Sequence, residues 1–138
     1  MFAVGLAALA AAGASSEATG PAVVRLTDRQ VSDDGSGGSA GTFEVIHVQL
    51  FGSSQKSRPI GEGILMCVRV GGSQRSCNAS YVLPRGSIET AGVLESRLLY
   101  TQAIVGGTGL YDNARGTLTV TATKLKPRRE LLLFRLTG

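Results

Sequence analysis

Few side chains in this sequence are of types that do chemistry, and their spacing excludes most familiar arrangements. There is one histidine, His47, inside the run FEVIHVQLF. A single imidazole excludes a conventional zinc site of three or four ligands, so no metal is expected. No Ser/His/Asp triad can be assembled around it, and no carboxylate pair at defined spacing appears. His47 therefore keeps two readings: a general acid or base near neutral pH, or a half-exposed strand residue. The phenols of Tyr81 and Tyr100 are candidates to bind a ligand in a cavity, or to fill a core. Arg115 opens the run RGTLTVTATK, in step with a row of threonines. If that row faces solvent, Arg115 is a surface charge. If it faces a cavity, the row makes a polar wall, and a period of two alone does not choose.

The glycine string in IVGGTGLYDNARGTLTV, with Gly106, Gly107, Gly109 and Gly116, invites a phosphate-loop reading. A Walker loop needs Lys and then Ser/Thr after its last glycine. Here Leu110 and Tyr111 follow Gly109. A dinucleotide fingerprint needs a third glycine three residues on and a helix behind it. That position is Asp112, and a β-type alternation follows. Gly106, Gly107 and Gly109 are instead expected to let the chain turn, with positive φ, between two strands.

Cys67 and Cys77 are separated by VRVGGSQRS. Gly71 and Gly72 read as a hairpin tip, so residue 67 faces 77, 68 faces 76, 69 faces 75 and 70 faces 74. Both cysteines then share one face of adjacent strands, at bonding distance. A disulfide closing so short a loop is worth roughly 2–3 kcal/mol in the chain-entropy model. A free, reactive Cys67 is the alternative.

Those residues must be held by elements, and the rest of the chain limits what these are. A length of 138 residues allows one domain with a real core. The formal charge is +4, with one basic cluster at Lys124, Lys126, Arg128 and Arg129. Aromatic residues do not interleave with it, so a nucleic-acid partner is not expected. Residues 2–13 form an apolar run too short to span a bilayer, and Ala12-Gly13-Ala14 offers a cleavage site. We read residues 1–14 as a signal peptide without a basic start, 15–21 as a linker and 22–138 as the folded domain. The protein is expected to be secreted, with no membrane partner once the signal is removed. The same export reading favours the disulfide.

Eight strand-like segments follow the linker, at about 22–28, 43–51, 60–70, 76–83, 87–95, 98–105, 114–124 and 130–137. Nearly every break between them carries Gly, Pro, Asn or Asp, and short connections favour antiparallel neighbours. The expected fold is all-β: an eight-stranded antiparallel up-and-down β-barrel, with a sandwich as the alternative. The longest connection, SDDGSGGSAG, fails as a calcium loop. Counted from Asp33, the third and fifth positions are Gly35 and Gly37, which carry no carboxylate.

The segment AIVGGTGLYDNARG resembles the signature of dirigent proteins and of the related allene oxide cyclase barrels, in which a GGTG-aromatic string joins two late strands. GEGILMCVRVGG, GSIETAGVLES and ELLLFRLTG resemble further strands of those barrels, so the resemblance covers roughly residues 43–138. With the signal and the cysteine pair, the chain is most similar to small secreted bacterial members. The resemblance implies a barrel with an apolar cavity that holds a small hydrophobic or phenolic molecule and steers its cyclisation or coupling. It implies no cofactor; a homo-oligomer is also compatible with it. Arg115 matches the signature arginine, and Asp28 stands near the place of a cyclase carboxylate. The asparagine of the cyclase strand is replaced by Val48. Asp28, His47 and Arg115 are thus the candidate catalytic residues, for a cofactor-free isomerase, cyclase or stereochemical guide. A binding protein without catalysis and a filled structural barrel remain as alternatives.

Overall fold

The computed structural model describes residues 20–35, 37–53 and 57–137; the expected signal peptide lies outside them, as do linker residues 15–19. Eight strands follow one another: β1 Val23–Asp34, β2 Phe43–Gly52, β3 Gly61–Gly71, β4 Gln74–Leu83, β5 Gly86–Leu94, β6 Leu99–Gly107, β7 Arg115–Leu125 and β8 Arg128–Thr137. Each pairs antiparallel with the next, and β8 pairs with β1, closing the barrel. The expected fold class is the observed one.

Period-two alternation sorts the side chains. On β8, Leu132, Phe134 and Leu136 point inward while Arg135 and Thr137 are exposed. On β4, Cys77, Ala79, Tyr81 and Leu83 are inward. In the inward row of β3, Gly63 makes room for an aromatic: a Cβ there would lie 2.7 Å from Val48 and 3.0 Å from the Tyr81 ring. Tyr81 fills that niche and meets Phe134 edge to face, with centroids 5.2 Å apart at 79°. This half of the barrel is packed with side chains, as expected of an eight-stranded interior.

The Cys67–Cys77 disulfide is present, between directly opposed interior positions with Cα atoms 4.1 Å apart. Its hairpin follows the expected register through Arg69↔Arg75 and then departs from it. Gly71, not Val70, faces Gln74, because a bulge at Val70 absorbs one residue. The first strand is also longer than its sequence suggests. Residues 29–34 continue β1 through a bulge at Val31, between Gln30 and Ser32. The polar run SDD reads as loop from sequence alone. In the barrel it keeps its ladder with β2, and the bulge re-aims Asp33 toward the interior.

The glycine string is a corner. A single 3-10 turn, Gly109–Tyr111, joins β6 to β7. Thr108 N donates to Ser87 O at 2.9 Å, Leu110 N to Arg85 O at 2.9 Å, Tyr111 N to Thr108 O and Asp112 N to Gly109 O. These four amides are engaged within the fold and are not free to cradle a phosphate. Gly109 has φ +60°, as expected. Gly106 and Gly107 do not have the expected positive φ; Gly107 is needed for close approach, since a Cβ would lie 2.2 Å from Tyr111 O and 2.8 Å from Ser87 O. At Gly106 the nearest atom, on the Arg115 side chain, is 4.0 Å away. Gly107→Val should therefore cost about 1–3 kcal/mol by overpacking, against about 0.5 kcal/mol or less for Gly106→Ala. Urea denaturation midpoints of the two variants check this; equal midpoints would refute it.

Candidate functional site

The two ends of the barrel differ. At one end, where the corner lies, β1 begins and β8 finishes, the interior is closed by apolar side chains, among them Tyr111, Leu50 and Leu83. The opposite end, where β1, β3, β5 and β7 finish, carries inward-facing charge. We call this end the mouth.

Each inward strand row turns polar as it nears the mouth. On β1, Leu26 is followed by Asp28 and Gln30, and then by Asp33 beyond the bulge. On β2, Leu50, Val48 and Ile46 lead to Glu44. Arg75 occupies the same level on β4, and Glu130 and Arg128 on β8. Arg97 reaches over from the β5–β6 turn. Asp28, Glu44, Arg75 and Glu130 are all buried.

These groups form two carboxyl pairs bound by guanidinium groups. Arg75 Nη1 donates to Glu44 Oε1 at 2.5 Å. Arg97 lies 3.3 Å from Glu44 Oε2 and 3.8 Å from Asp33 Oδ2. Arg128 lies 3.2 Å from Glu130 Oε2 and also donates to the Arg97 carbonyl. Asp28 stands directly across from Glu130 in the β1–β8 register. Four carboxyls thus share three guanidinium groups, so the buried cluster is neutral when one carboxyl carries a proton.

Asp28 carries it. Burial, followed by the charge of Glu130, pushes its carboxyl from 3.8 up to about 9, with Arg128 opposing. Burial and the Glu44 charge also raise Asp33. Burial alone would raise Glu44, but the hydrogen bond and charge of Arg75, with Arg97, bring it below its ordinary value. The Oδ1 atoms of Asp28 and Asp33 are buried without a hydrogen-bond partner among the described residues.

Beneath Arg97 and Arg128 lies a void of about 20 Å³. Ile46, Val48 and Leu65 form its apolar side, and Tyr100, Glu130 and Gln30 its polar side. That volume holds about one water. The Tyr100 phenol stays protonated, raised by burial and by the Glu130 and Asp28 charges. Deeper in, Thr90 Oγ1 donates to Gln102 Oε1 at 2.9 Å. Gln102 Nε2 crosses the side-chain-free Gly92 to reach Cys77 O at 3.3 Å.

Of the residues singled out from sequence, the barrel brings Asp28 and Tyr100 to the mouth. Tyr81 is core, fully enclosed against Phe134, and burial raises its phenol well above the ordinary range. His47 belongs to the outward row of β2 and is exposed. Arg115 is exposed beside the corner, with Nη1 on the Ala114 carbonyl at 2.7 Å; Thr117, Thr121 and Thr123 of the following row are exposed too. Asp28, His47 and Arg115 therefore do not converge. Sequence reasoning missed Glu130, Glu44, Arg75, Arg97 and Arg128. A signal existed for the first: Glu130 lies two residues before Leu132 in the inward row of the closing strand. No group of three or more His, Cys, Asp and Glu side chains among the described residues is placed to hold a metal.

Comparison with known proteins places this architecture. No family model and no curated protein matches the chain. Solved structures do. A pyocyanin demethylase superposes with a TM-score of 0.67 at 20% identity, covering 81% of this chain and 99% of its own. AbnU, an exo-specific intermolecular Diels-Alderase, gives 0.68 at 16%, covering 84% and 97%. A pterocarpan synthase dirigent protein gives 0.60 at 13%, covering 84% and 96%. The fold is that of the dirigent and cyclase-type barrels. At these identities the likeness carries architecture. The chemistry of the mouth follows from this barrel's own residues.

Proposed function

We propose that this dirigent-type barrel binds a small, mostly apolar molecule at its mouth and steers its cyclisation or coupling by proton transfer. Glu130 is the group that meets the ligand, because it lines the void, and Asp28 behind it holds the exchangeable proton. The observation that carries the reading is this buried carboxyl pair, directly opposed across the β1–β8 seam, with the Tyr100 phenol beside Glu130 in the lining of the void. A carboxylic acid kept protonated near neutral pH can act as a general acid, and its partner carboxylate as a base. The apolar side of the void would orient the rest of the molecule. Similar barrels described as a Diels-Alderase, a dirigent protein and a heme-binding cyclase catalysing a [4 + 2] cycloaddition support cyclisation of a small molecule, and the proton-transfer step rests on the carboxyl pair alone. The apolar N-terminal run and the disulfide support a secreted setting.

A void for one water is too small for such a ligand, so binding requires Arg97 and Arg128 to swing from their carboxylates. The same observation favours a second reading, a filled barrel that serves as an interaction module. Native mass spectrometry of protein purified from its host separates the two. The ligand reading expects a small-molecule adduct on the wild type, retained by Glu130→Gln as unconverted substrate. No adduct on the wild type, on Glu130→Gln or on an Arg97→Ala variant with a widened mouth would end it.

A further inference from the structure

The exposed apolar side chains are not spread evenly over the barrel. Every large one that is more than half exposed, among the described residues, sits in a mouth-end turn or close to a strand's mouth-end terminus. Leu98 and Leu99 lie at the β5–β6 turn, and Leu125 lies at the tip of the β7–β8 hairpin. Val31, Val70 and Val93 continue the collar on β1, β3 and β5, and Phe43 completes it on β2. The opposite end exposes Val23, Val82 and Val105, each less than half exposed.

Cations interleave with this collar. Leu125 stands between Lys124 and Lys126, Leu98 follows Arg97, and Val70 follows Arg69. Lys124, Arg129 and Arg29 face one another in a row across β7, β8 and β1. Like charges directly opposed on neighbouring strands disfavour the fold. Lys124, Lys126 and Arg129 enter no ion pair among the described residues. The exposed acids at this end are Asp34 and Glu95, and Glu95 is held by Gln74.

We propose that the mouth end docks on the surface of an anionic lipid bilayer. Apolar side chains at turn tips flanked by Lys and Arg are what an interfacial anchor needs: the first enter the acyl boundary and the second meet lipid phosphates. The repulsion along the Lys124–Arg129–Arg29 row is relieved by that surface. A second copy packed mouth to mouth would instead oppose two such rows. Docking is peripheral: the outward rows of the barrel carry exposed charges such as Arg25, Glu62 and Arg135, which a bilayer-spanning barrel does not present to lipid, and no described helix is long and apolar enough to cross a membrane. It departs from the sequence expectation of no membrane partner, and it does not depend on what the mouth holds.

Co-sedimentation of the whole protein with vesicles tests this. Phosphatidylcholine vesicles containing phosphatidylglycerol should take up the wild type, pure phosphatidylcholine vesicles far less, and added salt should weaken uptake. Leu98→Ser/Leu125→Ser and Lys124→Glu/Lys126→Glu should each weaken partition at least about tenfold. Thermal midpoints matching the wild type show that both variants remain folded. Failure to sediment with anionic vesicles overturns the proposal, as does equal uptake by neutral ones or unchanged partition of both variants. Self-association abolished by Leu98→Ser/Leu125→Ser, without vesicle binding, assigns the face to a second copy and overturns it too.

Discussion

Arg75→Met should lower the unfolding free energy by about 3–5 kcal/mol. Arg75 and Glu44 are 5% and 2% exposed and meet at 2.5 Å. Removing the guanidinium leaves Glu44 buried with Arg97 at 3.3 Å, and Arg97 is 42% exposed and therefore screened. The energy lost is mainly that of a stranded charge, not the worth of the pair. The double variant Glu44→Gln/Arg75→Met should accordingly recover a large part of the loss, which makes the cycle informative where one variant is not. Urea denaturation of wild type, both singles and the double measures it. A single-variant loss below about 1 kcal/mol would show that Glu44 finds water or another partner.

The second large effect is on pH dependence. Asp28 titrates near 3.8 when unfolded and at about 9 in the barrel. Between those values the folded state binds the extra proton. Stability is therefore fully present below about 4 and is lost as pH rises through the window, by up to about 1.4 kcal/mol per unit. The groups facing Asp28 are Glu130, Arg128, Tyr100 and Tyr81. The Asp28→Asn variant cannot lose that proton. The wild type should lose thermal stability between about pH 5 and pH 8, and Asp28→Asn should lose much less. Asp33, raised, and Glu44, lowered, contribute slopes of opposite sign that are common to both proteins and cancel in the comparison. Parallel melting curves for the two would mean that Asp28 is ionised in the barrel.

The barrel was legible in the sequence because its signals are local. Turn residues stand at nearly every break, and the cysteine pair sets one hairpin register. The mouth was hidden for a physical reason. In FEVIHVQLF both alternating rows are apolar enough to be the inward one, so parity does not show that Glu44 faces in and His47 out. Arg75 and Glu130 carry charges that a sequence reading assigns to solvent. Arg75 is buried because Glu44 arrives beside it from β2, and Glu130 sits opposite Asp28 of β1 once the barrel closes, with Arg128 two residues away on its own strand. Asp33 was read as loop because a bulge at Val31 has no sequence mark of its own. Asp28 entered through a family resemblance, and its neighbour Glu130 entered only through the β1–β8 register.

That register also has a kinetic meaning. Seven of the eight strand pairings join consecutive strands, and only β1–β8 spans the whole chain. Hairpins close short loops and form early, whereas the terminal pairing must overcome the entropy of bringing distant segments together. The Asp28–Glu130 pair lies on that last seam. A chain still folding keeps both carboxylates in water and ionised, and the shared proton is taken up only when the cylinder shuts. Proton uptake during refolding thus times the closing event, separately from the growth of strand structure that precedes it.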